Sequence, residues 1–437
     1  MKHNNFFRCI SLVFSVISLV ISISLGKMMA FFSWPLLGTL STSCKAASVV
    51  LLGYGIVSFV VEYKFYKGLR YGWHYWSIRR SVEKQLKEAG FGSYPGRFLK
   101  LPKIHLSFSD GFQYAHLRIR ASLENSQKLL HLDLSPALGD YIVLRQYLSA
   151  DRNDIIIEAI DSRASFKLVF SSLKEFQDYC KSFTGYQLFL NSRTVVKLQS
   201  MLIAGITGGG KTYALYSFLM QLVYKKTKCH LYFVDPKGSS LSVFSKPISP
   251  KRTAVSLEET VALLTQFYEA MQERKKELEG LLKGKLDADY SDFGLEPYVF
   301  VIDEYTAVHD RLAQLDKKDR DKVVGVLHEI VLQGRQLGFF LFVVMQKSDS
   351  KTLETSIRDN LPLKLVVGNS EDQTYVTTFG QSAKIPPVEL QPGDGFFTEP
   401  KVAREPKFVQ LPSLSSELLE EFMRDMQAND DKSGHAA

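Results

Sequence analysis

The sequence predicts an α/β fold with a mostly parallel sheet, preceded by two apolar helices and a small mixed α/β region. Residues 1–66 contain two long uncharged runs. The second half alternates short apolar runs with helical patterns, which is typical of an open parallel sheet. A glycine-rich turn joins one of these runs to a helix, at the edge where such sheets bind ligands.

The composition excludes several classes of protein. The chain has 437 residues, of which 45% are apolar and 12% aromatic, so a mainly disordered or collagen-like chain is excluded. Its cysteines (Cys9, Cys44, Cys180 and Cys229) are scattered and form no CxxC pair. The sequence therefore predicts neither a disulfide framework nor a zinc site, and a reducing compartment for most of the chain.

The net charge of +8 is concentrated at the amino end. Residues 1–102 contain 13 Lys and Arg but only 3 acidic residues, whereas residues 103–437 contain 41 basic and 43 acidic residues. A basic chain often binds nucleic acid. Here the excess lies beside the apolar runs, so any contact of the remaining chain with nucleic acid requires a local patch.

Two segments, residues 9–26 and 46–63, are predicted to span a membrane. A cleaved signal peptide is the alternative for the first run, but the second run favours a pair of spans. Lys and Arg are abundant after the second run and sparse in the intervening loop, residues 27–45. The positive-inside rule therefore predicts a multi-pass cell-membrane protein with both termini and the second half in the cytoplasm.

The first apolar run carries serines at a helical spacing. Ser11, Ser15, Ser18 and Ser22 follow one another by four, three and four residues, so they share one helix face. Small polar residues on one face favour close packing and hydrogen bonding between helices in lipid. The alternative is that serine is merely tolerated in this helix.

The middle of the chain, residues 103–190, carries no chemical motif, and its alternating runs predict strands of a small α/β domain. Those runs are residues 104–109, 115–121, 154–160 and 166–170. The predicted domains are a membrane anchor (1–66), a basic juxtamembrane segment with the small domain (67–185), a nucleotide-binding domain (186–410), and a short helix with a polar tail (411–437).

A phosphate-binding motif follows a short apolar strand at residues 201–205. It matches GxxxxGK[ST] and comprises Gly205, Ile206, Thr207, Gly208, Gly209, Gly210, Lys211 and Thr212. Its glycines allow backbone N–H groups to surround phosphates, while Lys211 reaches the β- and γ-phosphates and Thr212 binds Mg²⁺. A helix predicted from Thr212 to Lys225 supplies the expected context, so ATP and Mg²⁺ are favoured over a coincidental glycine-rich turn.

An acidic pair follows a second apolar strand, residues 297–302. Asp303 is predicted to help hold Mg²⁺, and Glu304 to act as the general base that polarises the attacking water. The alternative is that the two carboxylates only cap a helix. Together with the phosphate-binding motif, the pair indicates ATP hydrolysis rather than phosphate transfer to a small substrate.

Two further strands complete the predicted sheet. Residues 230–234 lead into Asp-Pro-Lys-Gly at 235–238, and residues 339–344 lead to Gln346. A polar side chain at the carboxyl end of such a strand lies where these folds bind ligands. Gln346 is therefore a candidate sensor of the γ-phosphate, with a simple polar strand end as the alternative.

These motifs resemble the FtsK/SpoIIIE family of membrane-anchored DNA-pumping ATPases over about residues 185–400. The segments occur in the family's order: GITGGGKT (205–212), DPKG (235–238), YVFVIDEY (298–305), GRQLGFFLFVVMQ (334–346), IRDNLPLKLVV (357–367) and LQPGDGFF (390–397). The resemblance implies a RecA-like P-loop ATPase core, DNA as partner, a homo-hexameric ring and ATP at subunit interfaces. Arg335 and Arg358 are candidates for an arginine finger from the neighbouring subunit, with surface ion pairs as the alternative.

The departures from the family pattern narrow the expected role. Two spans are predicted instead of about four, a long Pro/Gln-rich linker is missing, and the residues after Gly395 leave no room for a winged-helix DNA-reading module. The chain therefore looks like the coupling proteins of Gram-positive conjugative elements, which implies a relaxase and transfer-channel proteins as partners. The alternatives are a chromosome-translocating ATPase, a protein-secretion ATPase, and a docking platform that binds ATP only as a structural ligand.

Overall fold

A computed structural model describes residues 3–32, 35–92, 100–121, 125–282, 287–348, 352–381, 383, 385–386 and 388–434. The helices are α1 (His3–Phe32), α2 (Pro35–Glu62), α3 (Leu69–Glu88), α4 (Ser126–Leu130), α5 (Leu173–Lys181), α6 (Lys211–Tyr224), α7 (Ser240–Ser245), α8 (Leu257–Leu281), α9 (Tyr305–Leu312), α10 (Lys317–Leu337), α11 (Thr355–Asp359), α12 (Asp372–Phe379) and α13 (Ser416–Gly434). The strands are β1 (Ile104–Ser109), β2 (Tyr114–Arg120), β3 (Tyr141–Leu148), β4 (Asp154–Asp161), β5 (Gln187–Phe189), β6 (Val195–Lys197), β7 (Met201–Ala204), β8 (His230–Val234), β9 (Thr253–Ala254), β10 (Tyr298–Ile302), β11 (Phe339–Met345), β12 (Leu363–Val367), β13 (Asp394–Glu399) and β14 (Ala403–Gln410).

The chain forms two compact units, Met1–Ala164 and Ser165–Ala437. The first contains the helix pair α1–α2, helix α3 and a four-stranded sheet. The second contains an eight-stranded sheet with helices on both faces. The predicted middle segment extended to residue 185, but the structure assigns residues 165–185 to the second unit because Phe176 and Cys180 are buried in its core.

The helix pair is longer than the two predicted spans. The loop expected at residues 27–45 is helical, apart from residues 33 and 34, which lie outside the described part of the chain. Lys27 and Lys45 suggested the ends of the apolar runs. A lysine limits how far a segment can enter lipid, but it is a good helix former and does not end a helix.

The serine face predicted on α1 is confirmed, because its hydroxyls bond α2 along the whole contact. Ser11 Oγ donates to Leu51 O at 3.1 Å, and Ser18 Oγ donates to Cys44 O at 2.7 Å. Ser15 and Ser22 are buried opposite Ser48 and Ser41, and these pairs exchange hydroxyl-to-carbonyl bonds of 2.9–3.0 Å.

The helix pair is polar between its helices and apolar on its outside. Large apolar side chains face outward, such as Val16 (61% exposed), Val20 (56%) and Val49 (70%). The segments Ile10–Met28 and Gly38–Glu62, of 19 and 25 residues, are long and apolar enough to cross a membrane. This distribution is suited to lipid, where apolar groups on the outside and polar groups hydrogen-bonded between the helices are favourable.

Ion pairs join the start of α1 to the end of α2. Arg8 contacts Glu62 and also donates from Nε to Ser58 Oγ at 2.9 Å. Arg79 of α3 reaches the same Glu62 carboxylate at 3.1 Å. The antiparallel pair therefore brings residues 8 and 62 to the same end.

The four-stranded sheet of the first unit has the order β1-β2-β4-β3, with every pair antiparallel. Helix α3 packs Tyr75, Ile78, Val82 and Leu86 against the inner face of this sheet. The outer face carries the alternate residues of β1 and β2, which are mostly exposed and polar. Three strands predicted from alternation coincide with β1, β2 and β4, whereas β3 was not predicted.

The sheet of the second unit has the order β14-β13-β12-β7-β11-β10-β8-β9. The six strands from β12 to β9 are parallel, and β13 and β14 are antiparallel at one edge. The predicted α/β class with a mostly parallel sheet is therefore confirmed. One face packs on α5, α6 and α13, and the other on α8, α9 and α10.

The strand predicted at residues 166–170 is wrong. Within it only Val169 forms a single parallel bridge, to Ser413. The alternating pattern is present, but β strands need a ladder of backbone partners, and here the nearby chain supplies one position only. The C-terminal helix α13 extends beyond the predicted residues 415–426.

Candidate nucleotide-binding site

The loop after β7 is a glycine cradle against the end of β12. A Cβ atom on Gly205 would lie 2.2 Å from Val367 O, and one on Gly209 would lie 2.7 Å from the same oxygen. Gly205 and Gly210 also have positive φ angles, of 146° and 102°. Only glycine satisfies both the backbone conformation and the close approach, so the loop can turn tightly against the end of β12.

A second pair of glycines supports this loop from outside the motif. Gly368 follows β12, and its Cβ position would lie 2.6 Å from Gly209 Cα. Gly393 N donates to Gly209 O at 3.3 Å. Val367 and Gly393 belong to the segments 357–367 and 390–397, so both segments contact the phosphate-binding loop through backbone atoms.

Lys211 begins α6 directly after the loop. Its Nζ donates to Ile206 O at 2.8 Å, so the side chain folds back over the cradle. Burial lowers the pKa of Lys211, and the charges of Glu304 and Asp303 act in the opposite direction. Thr212 is exposed beside it, so its hydroxyl is accessible at the mouth of the cradle.

Asp303 lies at the carboxyl end of β10, two strands from β7, with β11 between them. Burial, together with the negative charges of Asp235 and Glu304, raises the pKa of Asp303 to about 6. Lys237 and Lys211 act in the opposite direction, but their charges do not outweigh this effect, so the ionised carboxylate carries an electrostatic penalty. A cation bound there would remove this penalty.

Glu304 adopts a left-handed backbone conformation, with φ of 55°, at the start of α9. Its Oε2 accepts from Lys237 Nζ at 3.1 Å, and its Oε1 accepts from the backbone N–H of Gln346 at 3.4 Å. The side chain is 14% exposed. A left-handed non-glycine residue at this position indicates that the surrounding fold imposes the direction of the carboxylate.

The turn after β8 presents Lys237 to Glu304. Asp235 is 1% exposed and accepts from the backbone N–H groups of Lys237, Ser239 and Ser242, at 3.1, 2.7 and 2.9 Å. These bonds fix the turn and therefore the position of Lys237. The segment 235–238 was singled out in the sequence, but this ion pair was not predicted, since it joins residues 67 positions apart.

The structure brings together most of the predicted site residues. The cradle, Lys211, Thr212, Asp303, Glu304 and Gln346 all lie at the carboxyl edge of the parallel strands. Gln346 follows β11, between the cradle and the acidic pair, and its side chain is exposed. This position suits a sensor, as predicted, although only its backbone N–H contacts Glu304.

The two candidate arginines do not join this edge within one chain. Arg335 is exposed in the last turn of α10, just before β11 begins. Arg358 lies in α11, before β12, and pairs with Asp359 at 3.1 Å. Both therefore lie toward the amino edge of the sheet, opposite the cradle. A finger role for either one stays a prediction that requires a second subunit.

The residues present fit a nucleotide with Mg²⁺. The glycine cradle excludes side chains where phosphates would lie, and Asp303 and Thr212 are oxygen donors of the type that Mg²⁺ prefers. Within the described ranges, no group of three or more His, Cys, Asp or Glu side chains forms a metal cage. A cation here would therefore share its coordination with phosphate oxygens and water, as Mg²⁺ usually does.

Comparisons with known proteins agree with the predicted resemblance. Residues 181–292 match the model of the FtsK/SpoIIIE family. The FtsK domain-containing protein YdcQ of Bacillus subtilis is 31% identical over 200 residues, which cover 46% of this chain and 40% of YdcQ. The DNA translocase FtsK of Clostridium acetobutylicum is 24% identical over 270 residues, which cover 55% of this chain and 34% of that protein. The chain thus matches less than half the length of either relative.

A solved structure extends the likeness to more of the chain. The conjugation coupling protein TcpA of pCW3, in its monomer form with ATPγS, has a TM-score of 0.50 and 17% identity. The match covers 81% of this chain and 99% of the TcpA chain. At this identity the likeness concerns the fold, and it confirms the predicted P-loop ATPase fold.

Proposed function

We propose that this chain, part of which matches the FtsK/SpoIIIE family model, is a membrane-anchored, ATP-driven DNA translocase that acts as the coupling protein of a conjugative transfer system. The observation that carries the proposal is the convergence of Lys211, Asp303 and Glu304 at one edge of a parallel sheet, beside a glycine cradle. A docking platform would need the cradle but has no use for a fixed second carboxylate such as Glu304.

The chemistry follows from the positions of the side chains. Lys211 exchanges its bond to Ile206 O for phosphate oxygens when nucleotide binds. Glu304 accepts a proton from a water molecule as the water oxygen bonds the γ-phosphorus, while the bond from that phosphorus to the bridging oxygen breaks. Mg²⁺, held by Thr212 and Asp303, would neutralise the phosphate charge.

The Lys237–Glu304 ion pair restrains the general base. While Lys237 holds Oε2 at 3.1 Å, the base is directed at a cation rather than at water. Hydrolysis then requires this pair to loosen. We propose that a neighbouring subunit in a homo-hexameric ring completes the site, with Arg335 or Arg358 as its finger.

A mixing experiment tests the ring and the finger. Glu304→Gln is expected to be inactive alone, and so is Arg335→Ala if Arg335 is the finger. Mixed rings contain some interfaces that combine an intact Glu304 with an intact Arg335, so activity should return on mixing. Arg358→Ala is tested in the same way, and an absence of recovery with both arginine variants would overturn the proposed interface.

The distribution of side chains on the helix pair supports a membrane anchor. Serines face inward and large apolar side chains face outward, and Arg8 and Glu62 meet at one end. We propose that both helices cross the cell membrane, with residues 1–8 and the chain from residue 63 onward in the cytoplasm. We propose the same functional division into a membrane anchor, a juxtamembrane part and a nucleotide-binding part, with the boundary between the last two at residue 164 instead of 185.

Thiol labelling tests this topology. The native Cys44 is a poor probe of the outer end of the helix pair, because it lies inside α2 and its carbonyl accepts from Ser18. Leu36, which is 70% exposed near the start of α2, is the better position. With Cys9 and Cys44 replaced by alanine, an impermeant maleimide should label Leu36→Cys in intact cells but not Lys67→Cys. The reverse pattern would contradict the proposed topology.

DNA-stimulated hydrolysis tests the motor function. The full chain in lipid nanodiscs should hydrolyse ATP faster when DNA is added, and Lys211→Ala should abolish both the basal and the stimulated rate. A rate that does not respond to DNA would favour the docking platform or the protein-secretion alternative.

The conjugative role is supported by likeness to TcpA across 81% of the chain, whereas FtsK-named relatives match a smaller part. Deletion in the host should abolish transfer of a mobile element, with its relaxase still expressed, and leave chromosome partition unchanged. A partition defect with normal transfer would favour the chromosomal alternative instead.

A further inference from the structure

The small sheet of the first unit carries a cationic groove that the proposed motor does not use. It lies where β1 and β4 begin and β2 ends, and has a volume of about 1000 Å³. Its charged lining consists of Lys100, Lys103, Arg118, Arg120 and the single acidic residue Asp154, with His105 beside them. Four permanent cations therefore face one carboxylate within a single concave surface.

The geometry of the strands explains why the cations converge. His105 of β1 is the cross-strand partner of Arg118 of β2, and Arg120 follows on the same face of β2. Residues two apart on a strand are about 7 Å apart and point to the same side. The inner-face neighbours Leu117 and Ile119 are buried under α3, so the alternation of β2 directs both arginines outward.

Asp154 orders the two guanidinium groups without neutralising the surface. It is 8% exposed and lies 3.3 Å from Arg118 Nε and 3.7 Å from Arg120 Nη1. The arginine side chains are still 55% and 56% exposed. Each guanidinium has five N–H donors, so most of them stay directed to the groove. Ordered, exposed arginines are well suited to phosphate groups.

We propose that this groove binds the phosphate backbone of a nucleic acid. A row of cations on an exposed sheet, with net positive charge and an open concave shape, complements a linear polyanion. The contact lies outside the nucleotide-binding unit, so it adds a nucleic-acid site to the proposed motor rather than describing the motor itself.

Anionic lipid is the competing ligand, and the surface chemistry disfavours it. A lipid-docking surface combines cations with exposed large apolar side chains. In the described part of the first unit, exposed side chains of that kind lie on the helix pair and at Tyr66, Leu69 and Trp73, and none lines the groove. The groove therefore offers charge without a membrane-inserting element.

The salt dependence of DNA binding tests the proposal. The full chain in zwitterionic nanodiscs, without nucleotide, is titrated against a labelled single-stranded oligonucleotide over a series of salt concentrations. Arg118→Gln combined with Arg120→Gln should lower the slope of log affinity against log salt by about 1.4, since each phosphate contact contributes about 0.7. At physiological salt the affinity should fall about tenfold.

Two further variants make the result specific. Arg80→Gln with Lys84→Gln removes equal charge from the exposed side of α3, which covers the opposite face of the sheet, and should leave affinity and slope unchanged. Arg118→Lys with Arg120→Lys keeps the charge and should retain most of the affinity. ATP hydrolysis without DNA should be the same in all forms.

Three outcomes would overturn the proposal. The first is a glutamine variant with the parental affinity and slope, and the second is an equal loss in the α3 control. The third concerns lipid: if nanodiscs of phosphatidylglycerol abolish the difference between parent and glutamine variant, lipid occupies the groove. If the glutamine variant shows normal DNA-stimulated ATP hydrolysis and an unaltered slope of log affinity against log salt, this site is refuted and the proposed function is not.

Discussion

The helix pair and the nucleotide-binding unit both bury polar groups, but the surroundings of these groups differ. Between α1 and α2, Ser15 and Ser22 each bond a hydroxyl and a carbonyl of the facing helix. At the end of β10, Asp303 instead lies near Asp235 and Glu304, whose negative charges repel its own. A satisfied buried polar group holds a structure together, whereas one placed among like charges costs stability and is retained for binding.

Substitution in the acidic pair, Asp303 and Glu304, is expected to have the largest effect on ATP hydrolysis. Glu304→Gln should retain nucleotide binding but lower hydrolysis by about two to four orders of magnitude, because the amide accepts no proton from water. The matched control is Asp310→Asn, an exposed carboxylate on the same helix that should hydrolyse at the parental rate. Steady-state phosphate release measures both, and parental hydrolysis by Glu304→Gln would show that the base is another group.

A charge on the outer face of the helix pair is expected to have the next largest effect, on membrane insertion. Val20→Lys places a charge near the centre of the first candidate span, at a cost of about 2.5–3.5 kcal/mol for insertion. Leu332→Lys is the control, since Leu332 is similarly exposed (62%) on α10 of the nucleotide-binding unit. Carbonate extraction of membranes should release much of the first variant and none of the second. Equal retention of both would contradict the lipid-facing assignment.

Replacing the Asp303 carboxylate should stabilise the folded chain, whereas replacing a hydrogen-bonded buried polar group destabilises it. Because its pKa is raised to about 6, ionisation destabilises the folded chain, and the cost grows as pH rises from about 4 to 6. Asp303→Asn should therefore stabilise the nucleotide-free protein at pH 7.5, by about 1–3 kcal/mol, while weakening binding of Mg²⁺-nucleotide. The gain should shrink to about a third at pH 4.5.

Thermal unfolding of parent and Asp303→Asn at the two pH values measures this gain. Asp310→Asn again serves as the control, with no change in melting temperature at either pH. A loss of stability in Asp303→Asn at pH 7.5 would mean that the carboxylate is held by favourable contacts, as the serines are.

The restraint on Glu304 should be modest. Lys237 is about half exposed, and exposed ion pairs contribute at most about 1 kcal/mol. Lys237→Met should therefore raise hydrolysis without DNA by up to about fivefold, because Glu304 is released toward water. Lys251→Met, an exposed lysine of the same unit, should have no effect. A decrease in the Lys237→Met rate would instead assign Lys237 to the nucleotide.

The serines of the helix pair should give the smallest effect. Replacing Ser15 and Ser22 by alanine should destabilise the pair by about 0.6 kcal/mol per residue, as interhelical hydrogen bonds in membranes are worth about that much. Thr42→Ala with Ser43→Ala removes two exposed hydroxyls that bond only their own helix, and should change nothing measurable. Unfolding in mixed micelles compares the two, and equal effects would argue against the serine contact.

The parts predicted correctly from the sequence are those fixed by local pattern. The GxxxxGK[ST] motif and the apolar strands before Gly205 and Asp303 specify both the sheet and its ligand edge, because each requires a strand, a turn and a helix in order. The serine spacing on α1 likewise specified one helix face. In each case the determining residues lie within a few turns of one another.

The parts that were missed depend on distant partners. The strand predicted at residues 166–170 failed because its one bridge is to Ser413, and the Lys237–Glu304 pair joins two separate turns. The helical extension over residues 27–32 and 35–45 was missed because charge marks the limit of an apolar run and not the end of a helix. The cationic groove required the register of β1 against β2, which alternation alone does not give.

Directional movement along DNA is the central claim, and displacement of a triplex-forming strand measures it most directly. The full chain in nanodiscs is mixed with duplex DNA that carries a labelled third strand, and release is followed with ATP, with ADP and with Glu304→Gln. Release is expected with ATP only, and none above background is expected in the variant. Absence of release by the parent, under conditions where DNA stimulates its hydrolysis, would contradict translocation along DNA by this chain.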